Sequence, residues 1–271
     1  SSRIEKEEDD TFRSENYSAR LGFDLSEQLR LELYGNFVDA YEEYDGMNFL
    51  GQIVEAGDYH LQRYLAGGEL SADRIWNVWD TSLSVSVTES RRSDLATSGL
   101  YEGLTYEGKW KNTIFLNDWN TLTFGYDFTE EEADTEPGAG SDFENDHQTD
   151  SVYIQHQIEP LDNLFFTGGA RYNDHSEFGE ETTYSSAVSY LVQPTGTRLK
   201  ASYSTGYRAP SVYELYAPAT AWGPVGNADL DPETSDTWDI GFDQEMMNGK
   251  ITFGMTYFDT QVDDYIQYVS G

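Results

Sequence analysis

The feature that most constrains this chain is a strict alternation of apolar and polar residues. In the segment 199–208, LKASYSTGYR, one set of alternate positions reads Leu, Ala, Tyr, Thr, Tyr and the other reads Lys, Ser, Ser, Gly, Arg. Successive side chains of a strand point to opposite faces, so this segment predicts a strand with one apolar face and one polar face. The pattern recurs about a dozen times along the chain, which predicts an all-β fold.

The connections between the predicted strands alternate between short turns and long polar loops. The short turns are predicted at 26–28, 71–73, 116–118, 160–163, 193–196 and 247–249, and the long loops at about 40–58, 90–99, 130–147, 174–181 and 209–233. This order places all turns at one end and all loops at the other, as in an up-and-down membrane barrel. A soluble β-sandwich with Greek-key topology mixes its connection lengths between the two ends. We therefore predict an antiparallel up-and-down transmembrane β-barrel segment of about 12 strands, some too long for a bilayer alone.

Composition narrows the classes of partner. The chain has 50 acidic and 16 basic residues and a formal net charge of −34, which argues against nucleic acid, because phosphates require a basic surface. Such a surface suits a saline medium or divalent cations. The absence of cysteine excludes disulfides and thiolate metal sites. The 20 Tyr and 6 Trp residues are of the types that gather where a surface passes from lipid to water.

The sequence gives no sign of an enzyme. The four histidines, His60, His147, His156 and His175, fall on different predicted hairpins without the spacing of a metal motif. No Gly-x-Ser-x-Gly segment is present for a nucleophilic serine. The first residues, SSRIEKEE, lack the apolar region of a signal peptide, so we expect a processed chain or a piece of a longer protein.

One region carries a long and specific resemblance. Residues 203–216 read YSTGYRAPSVYELY and residues 226–242 read GNADLDPETSDTWDIGF, and the hairpin at 170–179 reads ARYNDHSEFG. These segments resemble the barrel of TonB-dependent outer-membrane receptors, and among them the receptors for cobalamin, catecholate siderophores and colicins. The resemblance over residues 12–170 is weaker and rests on strand rhythm.

The resemblance implies an architecture and a set of partners. Receptors of this family have a 22-stranded barrel whose lumen holds an N-terminal plug. Because residues 1–271 supply about 12 strands and nothing that resembles a plug, we expect an internal part of one barrel domain. The implied partners are the TonB complex, reached through the plug, outer-membrane lipid, and a bulky ligand such as a ferric siderophore or cobalamin. The implied location is the bacterial outer membrane.

The residue types of the segment 203–233 also predict its local backbone structure. Pro210 cannot donate to a strand ladder and forces Ala209 to stay extended, so a strand is expected to end there. Ser211 is a good N-cap for a short helical turn that places Val212, Leu215 and Tyr216 on one side. Asn227 suits a turn after Gly226, and Pro232–Glu233 reopens a strand.

This loop supplies the candidate ligand contacts. The residues predicted to contact substrate are Tyr207, Arg208, Tyr213, Tyr216, Trp222 and Asn227. The competing interpretation is that they form a clamp that only holds the loop at the rim of the barrel.

Calcium is the one cofactor that the sequence suggests. The predicted loop at about 40–58 is rich in carboxylates, the ligands that Ca²⁺ prefers, and Asp39, Asp45, Glu55 and Asp58 are the candidates. Tyr44–Asp45 resembles part of the calcium-binding loops of cobalamin receptors, in which the next loop is rich in Asp. Here residues 89–99 contain Asp94 as their only Asp.

Taken with the resemblance, these patterns predict a receptor for TonB-energised uptake of a scarce, bulky nutrient. The alternatives are a passive porin-like or adhesive outer-membrane barrel, and a soluble acidic β-sheet binding module.

Overall fold

Each strand pairs with its neighbours in sequence, and all pairs are antiparallel. The computed structural model describes residues 11–47, 53–94, 99–136, 143–217 and 226–267. The strands are β1 Phe12–Asp24, β2 Leu29–Met47, β3 Ile53–Ile75, β4 Trp79–Asp94, β5 Gly99–Asn117, β6 Asn120–Glu136, β7 Phe143–Leu161, β8 Leu164–His175, β9 Gly179–Val192, β10 Thr197–Arg208, β11 Glu233–Met246 and β12 Ile251–Asp263. A helix, α1 Val212–Tyr216, lies between β10 and β11.

The predicted meander of about 12 strands is confirmed. The sheet order runs from β1 to β12 without a crossover, so β1 and β12 form the two edges of an open sheet. In the parts of the chain that the structure describes, no helix is long and apolar enough to cross a membrane.

The predicted long loops are largely wrong, because strands extend far into them. β2 runs to Met47 and β3 starts at Ile53, while β6 runs to Glu136 and β7 starts at Phe143. The connection between β8 and β9 is only residues 176–178. The acidic composition of these segments predicted loops, but pairing with a neighbouring strand satisfies the backbone and overrides local propensity.

Two short turns are displaced from their predicted positions. Residues 71–73 lie inside β3, and the turn follows at 76–78, where Asn77 has φ of 64°. Asparagine tolerates this left-handed conformation better than most residues, which explains the later turn. The segment 116–118 lies mostly in β5, with the turn at 118–119.

The two faces of the sheet differ as the alternation predicted. One row of paired residues across eight strands consists of Phe23, Leu31, Leu70, Leu83, Trp110, Tyr126, Val152 and Tyr172. The row beside it, on the opposite face, consists of Gly22, Glu32, Glu69, Ser84, Lys109, Asp127, Ser151 and Asn173. The first face is called outward and the second inward below.

The outward apolar side chains are not covered by protein. Leu83 is 52% exposed and Val152 is 51% exposed, and the buried apolar side chains among the described residues are few: Ala133, Pro210, Val212, Leu215 and Ala217. A soluble sandwich would press these rows against a second sheet. The twelve described strands form one sheet, so the outward face requires an apolar solvent instead.

The outward face changes from apolar to acidic at a definite level. Along β2 the outward residues run from Leu29 to Phe37 and then continue with Asp39, and along β6 Phe128 is followed by Glu130. The span from Leu29 to Phe37 is about 27 Å along the strand, or about 20 Å across a bilayer at the usual tilt. The residues beyond this level form walls that project out of the membrane, as predicted.

A polar network lies on the outward face near the short turns. Asn112 is fully buried, and its Oδ1 accepts from Trp79 Nε1 at 3.1 Å and from Thr81 Oγ1 at 2.9 Å. Trp110 Nε1 in turn donates to Thr81 Oγ1 at 3.2 Å. Tryptophan combines an apolar body with one donor, so it suits the membrane interface when that donor is satisfied.

We expect Asn112→Ala to lower the free energy of unfolding by about 1 kcal/mol, because the half-buried donors Trp79 Nε1 and Thr81 Oγ1 lose their acceptor. Guanidinium unfolding of the receptor in detergent micelles measures this change. The matched control is Thr113→Ala on the inward face, whose hydroxyl has only a 3.4 Å contact with Thr123 Oγ1. Equal losses for the two variants would contradict the role of the network.

Candidate functional site

The predicted helical turn after β10 forms at the expected residues. β10 ends at Arg208, and Ser211 caps α1, with its Oγ accepting from Glu214 N at 3.3 Å. Glu214 Oε2 accepts from Ser211 N at 2.8 Å, which completes a capping box. Val212 and Leu215 are 3% and 2% exposed, so one side of this short helix is buried.

The chain then returns to pack on α1. Asn227 N donates to Glu214 O at 2.9 Å, and Gly226 N donates to Ala217 O at 3.0 Å. A Cβ on Gly226 would lie 2.6 Å from Ala217 N, so only glycine fits this close approach. Asn227 Oδ1 accepts from Asp229 N at 3.0 Å, which forms the predicted turn.

Helix α1 lies over the inward face of strands that are distant in sequence. It packs against β6 and β7, although it follows β10. The Tyr213 ring meets the Tyr101 ring of β5 edge-on, with centroids 5.4 Å apart. The Arg92 guanidinium of β4 lies 4.9 Å from the Tyr101 centroid and 5.3 Å from the Tyr213 centroid. These contacts require the sheet to curl around its inward face, as the wall of a barrel does.

A second set of contacts fastens the end of α1 to the rim. Tyr216 donates its hydroxyl to Glu177 Oε1 at 2.6 Å, and Glu177 Oε2 lies 2.7 Å from His147 Nε2. These last two atoms are not aligned for a hydrogen bond, so they form an ion pair only when the ring is protonated. The His147 and His175 rings are 5.2 Å apart and nearly perpendicular. We call His147, His175, Glu177 and Tyr216 the rim clasp.

His175 holds the turn that carries Glu177. Its Nδ1 accepts from the backbone N of Glu177 at 3.2 Å and of Phe178 at 3.4 Å, so this nitrogen carries no proton. The side chain is 6% exposed. Burial, and then the neighbouring His147, lower the pKa of His175, which favours the neutral ring.

The loop brings four of the predicted contact residues together around α1. Arg208 Nη2 donates to Glu214 Oε1 at 2.6 Å, and its Nη1 lies 3.5 Å from Glu233 Oε1. Asn227, Tyr213 and Tyr216 make the contacts described above. These partners within the chain agree with the clamp interpretation, and a ligand role for the same residues stays a prediction. Trp222 lies outside the described residues.

Tyr207, the remaining predicted contact, lines a cavity at the rim. The cavity has a volume of about 410 Å³ and lies between the end of β10 and strands β7, β8 and β9. Its polar lining includes Thr149, Arg171, Asn173, Thr183, Thr205 and Tyr207. We call it the β10 cavity.

The structure does not bring the calcium candidates into one place. Asp39 pairs with Gln62 on β3, Asp58 pairs with Glu43, and Asp45 pairs with Glu55, so Asp39 and Asp58 lie four pairs apart along the ladder. Among the described residues, no three His, Asp or Glu side chains are grouped as metal ligands would be. The side chains of Asp45 and Glu55 lie outside that description, and the calcium site stays a prediction.

Asp39 and Asp58 also have partners of their own. Asp39 accepts from Gln62 Nε2 at 2.9 Å and contacts His60 Nε2 at 3.3 Å. Burial, and then hydrogen bonds to Asp58 and Glu43, raise the pKa of the Tyr41 phenol to about 12. That hydroxyl therefore stays protonated and donates to the neighbouring carboxylates.

Sequence reasoning missed the rim clasp and Arg171. The histidines were judged scattered, but Thr149 pairs with His175, so His147 and His175 lie on one face of adjacent strands. The register of the β7–β8 hairpin is the signal that would have found them. Arg171, on the inward face of β8, donates from Nη1 to Asp127 Oδ2 at 2.5 Å and from Nε to Asn173 Oδ1 at 2.9 Å.

Known proteins share this fold. The vitamin B12 transporter BtuB of Photobacterium profundum is 21% identical over 266 residues, which are 97% of this chain and 41% of that protein. The siderophore receptor PirA of Pseudomonas aeruginosa matches with a TM-score of 0.75 at 18% identity, over 93% of this chain and 46% of that one. The copper transporter OprC matches with a TM-score of 0.74 at 13% identity, over 94% of this chain and 45% of that one.

These relatives are transport proteins and receptors, and the chain spans less than half the length of each. The family model described as TonB dependent receptor-like, β-barrel, matches residues 2–271. The chain therefore belongs to the TonB-dependent receptor family and is part of an outer-membrane β-barrel.

Proposed function

We propose that the receptor containing this chain takes up a scarce, bulky nutrient across the outer membrane, with energy delivered through TonB. The ligand classes that we infer are cobalamin and ferric siderophores, because a vitamin B12 transporter and siderophore receptors are among its relatives. The contact with TonB would be made by a plug, as the family resemblance implies.

The observation that carries this proposal is the position of α1. The helix is not part of the wall, but lies over the inward face and is held there by residues of β4 to β7 and by Glu177 of the β8–β9 turn. It therefore narrows the mouth of the barrel on the side where a ligand arrives. A receptor needs such a built surface at its mouth, whereas a passive pore needs an open one.

We infer that the exposed parts of the loop contact the nutrient. Tyr213 is 37% exposed, so part of its ring remains free for stacking although Tyr101 and Arg92 hold it from within. Arg208, Tyr216, Trp222 and Asn227 belong to the same loop or flank it, and Tyr207 opens on the β10 cavity. Aromatic rings fixed by their neighbours bind planar ligands at low entropic cost.

A growth assay tests the proposal. The receptor is expressed in a Gram-negative host that lacks its own receptors for cobalamin and ferric siderophores, with and without TonB. We expect one of the two nutrient classes to restore growth, and only when TonB is present. Restoration without TonB would identify a passive porin-like barrel, and no restoration with either class would contradict the proposed ligands.

A further inference from the structure

The wall opens between β9 and β10 at the rim. The ladder between these strands ends where Ser185 pairs with Ser204, although β9 starts at Gly179 and β10 runs to Arg208. Above this point β9 stays paired with β8, and β10 stays paired with β11. The end of β10, residues 205–208, is therefore separated from β9 while it remains part of the sheet through β11.

A side-chain hydroxyl replaces the next ladder bond. Continuation of the register would place Tyr184 opposite Thr205 and Thr182 opposite Tyr207, and neither pair is formed. The backbone N of Tyr184 is directed at β10, but it donates to Thr205 Oγ1 at 2.9 Å. In a regular antiparallel ladder the acceptor would be the carbonyl oxygen of Thr205. The hydroxyl thus satisfies the Tyr184 N–H while the two backbones stay apart.

The separated end of β10 leans over the inward face. Tyr207 lines the β10 cavity together with Arg171 and Asn173, which lie on the inward face of β8. Only residues 209–211 lie between the end of β10 and the start of α1. A link of this length reaches at most about 14 Å, so the direction in which β10 ends decides where α1 can dock.

The separation leaves a hydrogen-bonding group without a partner. The Tyr207 hydroxyl is buried and, within the described ranges, forms no hydrogen bond, which is unfavourable. In the alternation Tyr207 continues the outward row of Tyr203, so a fully paired β10 would carry its ring on the outward face. Asp236 pairs with Thr205 at this level, so that face is already polar here and water would reach the hydroxyl.

Docking of α1 offsets this loss. Val212 and Leu215 are buried, and Tyr213 packs on Tyr101 with ring centroids 5.4 Å apart. A fully paired end of β10 would draw the start of α1 away from these contacts, because the link between them is short. The docked helix and the complete β9–β10 ladder therefore exclude each other.

We propose that Thr205 is a positioning residue for α1. Its hydroxyl accepts from Tyr184 N in place of a ladder carbonyl, holds the end of β10 apart from β9, and so keeps the helix over the mouth of the barrel. Without the hydroxyl, Tyr184 N has an acceptor only when β10 pairs with β9. The balance then shifts towards the complete ladder, in which α1 leaves the inward face. The consequence for the nutrient rests on the proposed uptake function, because Tyr213 and Tyr216 lie on α1.

Hydrogen–deuterium exchange of the receptor in detergent micelles tests the proposal. Thr205→Val removes the hydroxyl with little change in shape, and Thr205→Ser is the matched control that keeps it. For Thr205→Val we expect the amides of Thr182 and Tyr207 to exchange about tenfold more slowly, because they enter the ladder, and the amides of α1 to exchange faster. Thr205→Ser is expected to exchange like the unmodified receptor.

A second variant shifts the same balance from the side of the helix. Leu215→Asn weakens the docking of α1 and leaves the Thr205 hydroxyl in place. We expect it also to slow the exchange of Thr182 and Tyr207. Loosening a loop ordinarily speeds the exchange of its neighbours, so slower exchange at these two amides is specific to the proposed ladder.

The outcomes separate this inference from the proposed function. If the exchange of Thr182 and Tyr207 is unchanged or faster in Thr205→Val, or if Thr205→Ser behaves like Thr205→Val, the hydroxyl does not position α1 and the inference is overturned. Faster exchange of the same amides in Leu215→Asn would show that the docked helix and the ladder do not compete, which also overturns it. No nutrient takes part in these measurements, so such a result leaves the uptake function standing, and a failed growth assay leaves the role of Thr205 standing.

Discussion

Val85→Arg is expected to destabilise the receptor in a membrane or micelle by about 2–4 kcal/mol, the cost of an arginine on the lipid face near the midplane of a barrel. Val85 is 58% exposed and lies midway along the outward apolar row of β4. Its paired neighbours are Gly68 on β3 and Gly108 on β5, so an arginine side chain has room. The expected loss therefore comes from the solvent that this face meets and not from a clash.

The matched control is Ser86→Arg, one position along and on the inward face. Ser86 Oγ lies 3.3 Å from Glu107 Oε2, so an arginine there meets a carboxylate and water. Guanidinium unfolding in detergent micelles compares the two variants, and we expect Ser86→Arg to stay within about 0.5 kcal/mol of the unmodified receptor. If Val85→Arg were equally mild, the outward rows would be in contact with water and the membrane assignment would be wrong.

The fold was predictable because alternation is a strong signal wherever one face is apolar. Segments such as 199–208 indicated both the strand and its faces, and the short turns at 26–28, 193–196 and 247–249 lie where they were expected. Above the membrane both faces of the sheet are polar, so a strand there shows no alternation of apolar and polar residues. The acidic residues of 130–136 were therefore predicted to form a loop. Their strand structure comes from pairing with β5 and β7, which no local pattern reports.

The candidate site was predictable only in part, for a similar reason. Pro210, Ser211 and Glu214 determine the backbone through contacts with residues close to them in sequence. The end of β10 and the cap of α1 could therefore be predicted from the sequence. The rim clasp joins β7, the β8–β9 turn and α1, and it depends on strand register and on the docking of the helix. The separation of β10 from β9 leaves no trace in the alternation, since Thr205 and Tyr207 continue the pattern of Tyr203.

Acidification is expected to open the rim clasp and loosen the end of α1. In the closed clasp His175 Nδ1 accepts from two backbone N–H groups of the turn at 176–178. A proton on Nδ1 removes both bonds, and the turn carries Glu177, which holds Tyr216. Loss of the turn moves Glu177 away from Tyr216, and also from His147, so the ion pair that a protonated His147 would make with Glu177 is lost as well and the end of α1 is released.

The direction follows from the pKa of His175, which burial and then His147 lower in the closed state. A lowered pKa means that the closed state favours the neutral ring, so its full stability is present above the ordinary value of 6.5. That stability is lost as the pH falls from 6.5 through the lowered pKa. Each pH unit in this range removes up to about 1.4 kcal/mol, which lowers the ratio of closed to open clasp by up to about tenfold. The charged or titratable groups that face the ring or its partners are His147 on β7, Glu131 opposite it on β6, Arg171 on β8, Glu177 in the turn and Tyr216 on α1.

Electron paramagnetic resonance of a spin label at Ala228→Cys measures the release. The chain has no cysteine, so the label is unique, and Ala228 is exposed beside Asn227, whose backbone N donates to Glu214 O of α1. We expect the label to be least mobile at about pH 7.5 and to become progressively more mobile as the pH falls below 6.5, with full reversal. His175→Asn is the matched variant, because its amide oxygen can accept from the same turn but does not titrate. A label that stays restricted at low pH, or a mobile fraction that follows pH equally in His175→Asn, would show that His175 does not control the clasp.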